Sequence, residues 1–196
     1  IYSYDAIPVS APSNKLKMHV PNEKQETVRC IREILINRDY NEVITYSFID
    51  PKLNKLLHKK DNLLISNPIA PEFSEMRTSL LSGLLKTLQY NIKRQQQRIR
   101  IFETGLVFNN REDLKQESHI AGLITGNINE KEWGKENILT DFYDVKRDVQ
   151  TFASSLVHTS DIELLPSTSK ILHPGQAVDL IVKGENAGYY GRLHPK

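Results

Sequence analysis

Leu80, Leu81, Leu84, Leu85, Leu88 and Ile92 recur every three or four positions directly after a stretch stiffened by Pro68 and Pro71. That period is helical, and six apolar side chains on one stripe require a surface to pack against. The chain must therefore fold around a helix running from Ser79 to about Gln96. Burying the stripe contributes on the order of 10 kcal/mol before chain entropy is subtracted. The prolines fix φ through Asn67-Pro68-Ile69-Ala70-Pro71-Glu72, so the approach to the helix is held by covalent geometry.

Other segments supply that surface. Asn22 and Gln25 stand at capping-box spacing, and Val28, Ile31 and Leu35 recur with Cys30 and Ile34 beside them, which predicts a helix over Glu23 to Arg38 with Cys30 as an inert core thiol. Val43 to Ile49 alternates like a strand and stops at Asp50-Pro51, the start of a short helix. Leu63 to Ser66 is a brief strand. Ile99 to Glu103, Gly105 to Phe108 and His119 to Thr125 read as an antiparallel meander. Phe142, Val145, Val149, Phe152 and Leu156 predict a helix lying across the sheet, capped by Asp141. Ile162 to Leu165, Ala177 to Val182 and Ala187 to Leu193 are strands separated by turns at His173-Pro174-Gly175 and Lys183-Gly184-Glu185-Asn186. Without a repeat or regular βαβ alternation, this order predicts an α+β fold with a mostly antiparallel sheet flanked by helices. Pro8, Pro12 and Pro21 mark residues 1–21 as an extended lead-in to a core domain over 22–196.

Composition narrows the chemistry. The chain has 196 residues, enough for one ordinary domain or two small ones. Its 26 basic and 24 acidic side chains balance too closely to mark a nucleic-acid or membrane-surface protein, and its single cysteine excludes an internal disulfide and fits a reducing compartment, the cytoplasm. No apolar run approaches the roughly 18 residues of a membrane span. The phosphate-loop, dinucleotide, nucleophile-elbow, zinc-protease and calcium-loop motifs are missing, and the six histidines stand apart. His173 and His194, each before a proline, are read as turn residues. Glu72, Glu75, Arg77 and Glu103 would supply an acid, a base and a phosphate clamp if the fold gathered them; otherwise the glutamates solvate the turn and Arg77 makes a structural ion pair. Between Met76 and Phe102 the cations Arg77, Lys86, Lys93, Arg94, Arg98 and Arg100 occur with no acidic residue, a pattern suited to an RNA or partner face, or to a solvated helix end.

Asn67-Pro68-Ile69-Ala70-Pro71-Glu72-Phe73-Ser74-Glu75-Met76-Arg77-Thr78-Ser79-Leu80-Leu81-Ser82-Gly83-Leu84-Leu85, with Ile101-Phe102-Glu103-Thr104-Gly105-Leu106-Val107-Phe108, resembles the central class II catalytic-like module of the bacterial phenylalanyl-tRNA synthetase β subunit. Tyr2-Ser3-Tyr4-Asp5-Ala6-Ile7-Pro8 is similar to that family's GYDxIP segment, with Ser3 in place of its glycine. His173-Pro174-Gly175-Gln176-Ala177 and Gly188 to Pro195 are similar to its closing strands. The resemblance implies a class II synthetase-like fold, catalytically silent, in a fragment of a longer subunit. It makes Glu23 to Ile49 a motif 1-like unit whose job is subunit association, with Val28, Ile31 and Leu35 as candidate interface residues. It leaves Lys93, Arg94, Arg98 and Arg100 as candidate RNA or partner contacts. Active class II enzymes grip the ATP α-phosphate with an arginine near the motif 2 strand, where this chain has Asn109 and Asn110. The resemblance thus implies no cofactor in this fragment, with ATP and Mg²⁺ serving the whole enzyme. It implies an α-subunit partner in a heterotetramer of two α and two β, tRNA in the full complex and no membrane, and it assigns editing and anticodon contact to domains outside the fragment. The alternative reading is a nucleotide-binding enzyme domain using Arg77 and Glu103, or a direct tRNA-binding module.

Overall fold

The computed structural model describes residues 3–10, 23–57, 63–108, 115–134 and 136–195, with the side chains of 23–26 left aside. Helix α1 (Glu23–Asn37) is followed by Asp39 in the left-handed region (φ 69°) and by a two-residue strand β1 (Asn41–Glu42). Strand β2 (Phe48–Ile49) precedes helix α2 (Pro51–Leu57), where the Lys52 N–H donates to Asp50 Oδ1 at 2.9 Å. Strand β3 (Glu75–Met76) and helix α3 (Leu81–Ile92) follow. Then come β4 (Ile99–Phe108), β5 (Gln116–Thr125), helix α4 (Phe142–Leu156) and a meander of β6 (Ile162–Pro166), β7 (Leu172–Val182) and β8 (Glu185–Leu193).

The fold is α+β, and among the described residues the strands lie in three sheets. β4 is central to the first, parallel to β1 (Asn41 opposite Ile101) and antiparallel to β5 (Ile99 opposite Thr125, Phe108 opposite Gln116). β2 pairs antiparallel with β3, and β6-β7-β8 run antiparallel in order. Leu84 of α3 packs with Ile99 and Ile101 of β4, flanked by Val43, Leu88, Ala121 and Leu123. β4 is buried continuously from Ile99 to Glu103 because it is covered on both faces, so it lacks the alternation of a half-exposed strand. Helix α4 packs on β8 and on α1, with Phe142 stacked on Tyr190 at 5.7 Å.

Several expectations change. Val43 to Ile49 is strand only at Phe48–Ile49, because the preceding residues spend their polar groups elsewhere: the Thr45 N–H goes to the Glu103 side chain, not to a ladder. Ile99 to Phe108 is one strand, uninterrupted by Gly105. Cys30 is exposed, since 100° per residue carries it off the stripe of Val28, Ile31 and Leu35. Helix α3 ends at Ile92, which stands exposed, and Gln95 takes a positive φ of 63°. His173-Pro174-Gly175 is an irregularity inside β7, where the register shifts between Leu172 and Ala177 and the Gly175 N–H donates to His173 Nδ1. The turn between β7 and β8 is as expected, with Lys183 (φ 51°) and Gly184 (φ 81°) both left-handed, the geometry of a two-residue hairpin loop. The Asn22 cap and most of the 1–21 lead-in lie outside the described residues.

Candidate functional site

Residues far apart in sequence meet at Glu103. Arg77, between β3 and α3, is anchored at both backbone ends: its N–H donates to the Ser47 carbonyl (2.9 Å) and its carbonyl accepts from the Phe108 N–H (3.0 Å). This places its guanidinium beside β4, where Nη1 donates to Glu103 Oε1 (2.6 Å) and to Thr45 Oγ1 (3.2 Å), and Nε to the Leu106 carbonyl (2.9 Å). Glu103 also accepts the Thr45 N–H on Oε1 (3.2 Å) and the Thr45 hydroxyl on Oε2 (2.8 Å). The two charged side chains are only 5% and 2% exposed. Two glycines make room: a Cβ at Gly105 would stand 2.3 Å from Arg77 Nη2, and one at Gly83 would stand 2.0 Å from Thr45 Oγ1.

A buried ion pair persists only where each charge is matched and each donor and acceptor used. Both carboxylate oxygens are engaged, and Arg77 faces protein oxygens, so neither group turns a charge outward. The acid, base and phosphate clamp expected from the sequence are thus gathered only in part, with Arg77 and Glu103 paired to each other. Glu72 is exposed. Glu75 is a correction: it does not solvate a turn but lies buried, accepting from Asn54 Nδ2 at 2.9 Å, and Asn54 Oδ1 in turn accepts from the Thr78 hydroxyl at 3.3 Å. Among the described residues, no group of three His, Cys, Asp or Glu side chains is placed to hold a metal. Asn109 and Asn110 lie outside the described residues.

The basic run divides. Arg100 is buried, with Nη1 3.6 Å from Asp148 Oδ2, and Arg98 spans Asp39 (2.5 Å) and the Ile128 carbonyl (3.1 Å). Lys93 and Arg94 remain exposed, the Arg94 guanidinium 3.3 Å over the Tyr90 ring. Asp148 of α4 also accepts from Arg38 Nε (2.6 Å) and the Tyr40 hydroxyl (2.8 Å). Burial, then the charge of Asp148 and its hydrogen bond, push the Tyr40 phenol well above its ordinary value. Sequence reasoning missed Thr45 and Asp148. The available signal was Asp144 and Asp148, one helical turn apart and interleaved with the apolar residues of α4.

Val28, Ile31 and Leu35 are half-buried on α1, which packs on α4 and β1. The segment after β1 turns apolar side chains outward: Ile44 is 93% and Tyr46 74% exposed.

Residues 7–196 match the family model described as the phenylalanyl tRNA synthetase beta chain CLM domain. The chain belongs to this family. The CLM domain is 40% identical over 198 residues to the phenylalanine–tRNA ligase beta subunit of Nitrosococcus oceani, covering 100% of this chain and 25% of that protein. It is 42% identical over 201 residues to the corresponding subunit of Pseudoalteromonas translucida, with the same coverages of 100% and 25%. The chain spans about a quarter of the length of these curated relatives. The pyrrolysyl tRNA synthetase PylSc of Desulfitobacterium hafniense superposes with a TM-score of 0.57 at 16% identity, over 89% of this chain and 59% of that one. That likeness shows the fold of the CLM domain, which is class II aminoacyl-tRNA synthetase-like.

Proposed function

We propose that the CLM domain is a noncatalytic assembly module of phenylalanyl-tRNA synthetase, pairing with the α subunit in an α₂β₂ enzyme that charges tRNA with phenylalanine in the cytoplasm. ATP and Mg²⁺ serve the chemistry of the α subunit in this reading. The observation that carries it is the closed Arg77–Glu103 pair. The charged groups best suited to nucleotide chemistry are spent on each other and on Thr45, while the apolar side chains of Ile44 and Tyr46 stand exposed in the segment after β1, within the motif 1-like unit. Apolar exposure of this kind marks a surface that another protein covers. Among the described residues, no helix is long and apolar enough to cross a membrane.

Titration of the purified chain with purified α subunit, with ATP and with tRNAPhe, followed by calorimetry, tests the proposal. Heat from α subunit without heat from ATP is the expected result. Saturable ATP binding without α-subunit binding would overturn it. A tRNA signal that weakens steeply with salt and disappears on charge removal at Lys93 and Arg94 would assign those two cations to direct RNA contact.

A further inference from the structure

Helices α3 and α4 each bury apolar side chains, Leu81 and Leu84 in one and Ala153 in the other. Helix α1 does not. Among its described side chains none is buried: Val28, Ile31, Ile34 and Leu35 are half-covered, and Ile36 is exposed. The apolar cluster of Leu84, Ile99 and Ile101 draws on α3, β4, β5 and Val43 and, among the described residues, takes nothing from α1. What fastens α1 is polar. Arg32 Nε donates to Glu42 Oε1 of β1 at 2.8 Å, and its Nη2 to the Thr104 hydroxyl of β4 at 3.0 Å. Arg38 Nε donates to Asp148 Oδ1 of α4 at 2.6 Å. Directly after Arg38 the chain turns through Asp39, whose φ of 69° is left-handed. The far side of that joint is fixed, because Tyr40 is buried with its hydroxyl on Asp148 Oδ2 at 2.8 Å, Asp39 pairs with Arg98, and the Arg38 carbonyl accepts from Arg100 Nη1 at 3.4 Å. One carboxylate of α4 therefore grips the chain on both sides of a left-handed residue.

We propose that α1 is a hinged element: it opens from the domain about Asp39 as a unit while the sheets stay folded, and the Arg38–Asp148 and Arg32–Glu42 pairs are its latches. The two arginines stand on the moving side and are 24% and 45% exposed, so water takes over their hydrogen bonds on opening. Half-covered apolar side chains also give up less in leaving than buried ones would. When Arg38 leaves, Asp148 keeps Tyr40 and Arg100, so no buried charge is stranded. A residue other than glycine holds a left-handed φ where its surroundings impose it, and at Asp39 those surroundings are the grips on either side. Opening turns the covered half of the Val28, Ile31 and Leu35 stripe to solvent, so the latches set the fraction of molecules in which that stripe is free. The motion belongs to the CLM domain itself and does not depend on the α subunit.

Hydrogen exchange of the full-length β subunit, read by mass spectrometry with electron-transfer fragmentation over residues 28–37 and over β4, tests the proposal. A detached helix of 15 residues is marginal in water, so opening exposes its amides to exchange. The amides of α1 are expected to share one rate, about tenfold or more above that of β4. Arg38→Gln combined with Arg32→Gln is expected to raise the α1 rate by a further tenfold or so and to leave β4 unchanged. Both substitutions fall on part-exposed side chains and leave Tyr40, Asp148 and Arg100 in place, so the core is retained. An α1 that exchanges no faster than β4 overturns the hinge, since the helix then opens only with the whole domain. A rate that climbs steadily toward the N-terminal end of α1 is fraying and overturns it as well. Fast α1 exchange that the double variant does not move overturns the latches and the proposal with them. Equal acceleration of α1 and β4 in that variant overturns it in favour of pairs that stabilise the domain as a whole.

Discussion

Glu103 is the side chain through which α3's approach, β4 and the segment after β1 are joined, because it takes hydrogen bonds from both Arg77 and Thr45. Glu103→Gln keeps the shape and removes the charge, leaving the Arg77 guanidinium buried without its counter-ion. The expected loss is about 3–5 kcal/mol in urea unfolding, and replacing both members by apolar residues is expected to recover much of it. An unchanged midpoint for the single variant would show that the pair contributes nothing. Tyr40 carries a pH dependence. Its phenol is held protonated in the folded state by burial and by Asp148, so its folded pKa lies above the unfolded value of 10.0. The folded state then binds the proton more tightly, and the stability this gives is full below that unfolded value and falls as pH rises above it. Thermal melts at about pH 9 to 11 are expected to show a decline that is shallower in Tyr40→Phe, although that variant starts from a lower melting temperature because Asp148 loses a donor. Arg77 and Glu103 were legible as candidates from residue type. Thr45 and Tyr40 were not, because nothing in a local window says which hydroxyl another element will cover.

At the scale of elements, the end signals that act within one turn were legible. Asp141 caps α4 as its sequence implies, accepting from the Tyr143 and Asp144 N–H groups at 2.8 and 3.1 Å, while Asp144 Oδ2 accepts from the Asp141 N–H at 3.0 Å. Asp141→Ala removes one half of this reciprocal box, and a loss of about 0.5–2 kcal/mol is expected in thermal or urea unfolding. Val43 to Ile49 and His173-Pro174-Gly175 were misread for complementary reasons. The first has strand alternation but gives its middle hydrogen bonds to a side chain of β4. The second has turn residues but is carried through β7 by the pairing of Leu172 and Ala177 with β8 on either side of it, at the cost of a register shift. Pairing with a distant segment decided both.

For the whole molecule, the surface matters as much as the core. If α1 carries the subunit interface, Ile31→Ala is expected to weaken folding or association by about 2–4 kcal/mol, and α subunit should protect the backbone amides of α1 from hydrogen exchange. Unchanged exchange over Glu23–Asn37 on adding α subunit removes that assignment. By itself the sequence determined the helices, the β7–β8 hairpin, the α+β class and the family, since those depend on periodicity, on φ-restricted turn residues and on a long, specific run of residues around Pro68 to Leu85. Only the tertiary structure decided that Arg77 and Arg100 face inward, that Ile44 and Trp133 face outward, and that Glu75 is buried. Burial of a charge or exposure of an apolar group is set by what packs over it, and those partners lie tens of residues away, beyond the reach of any local pattern.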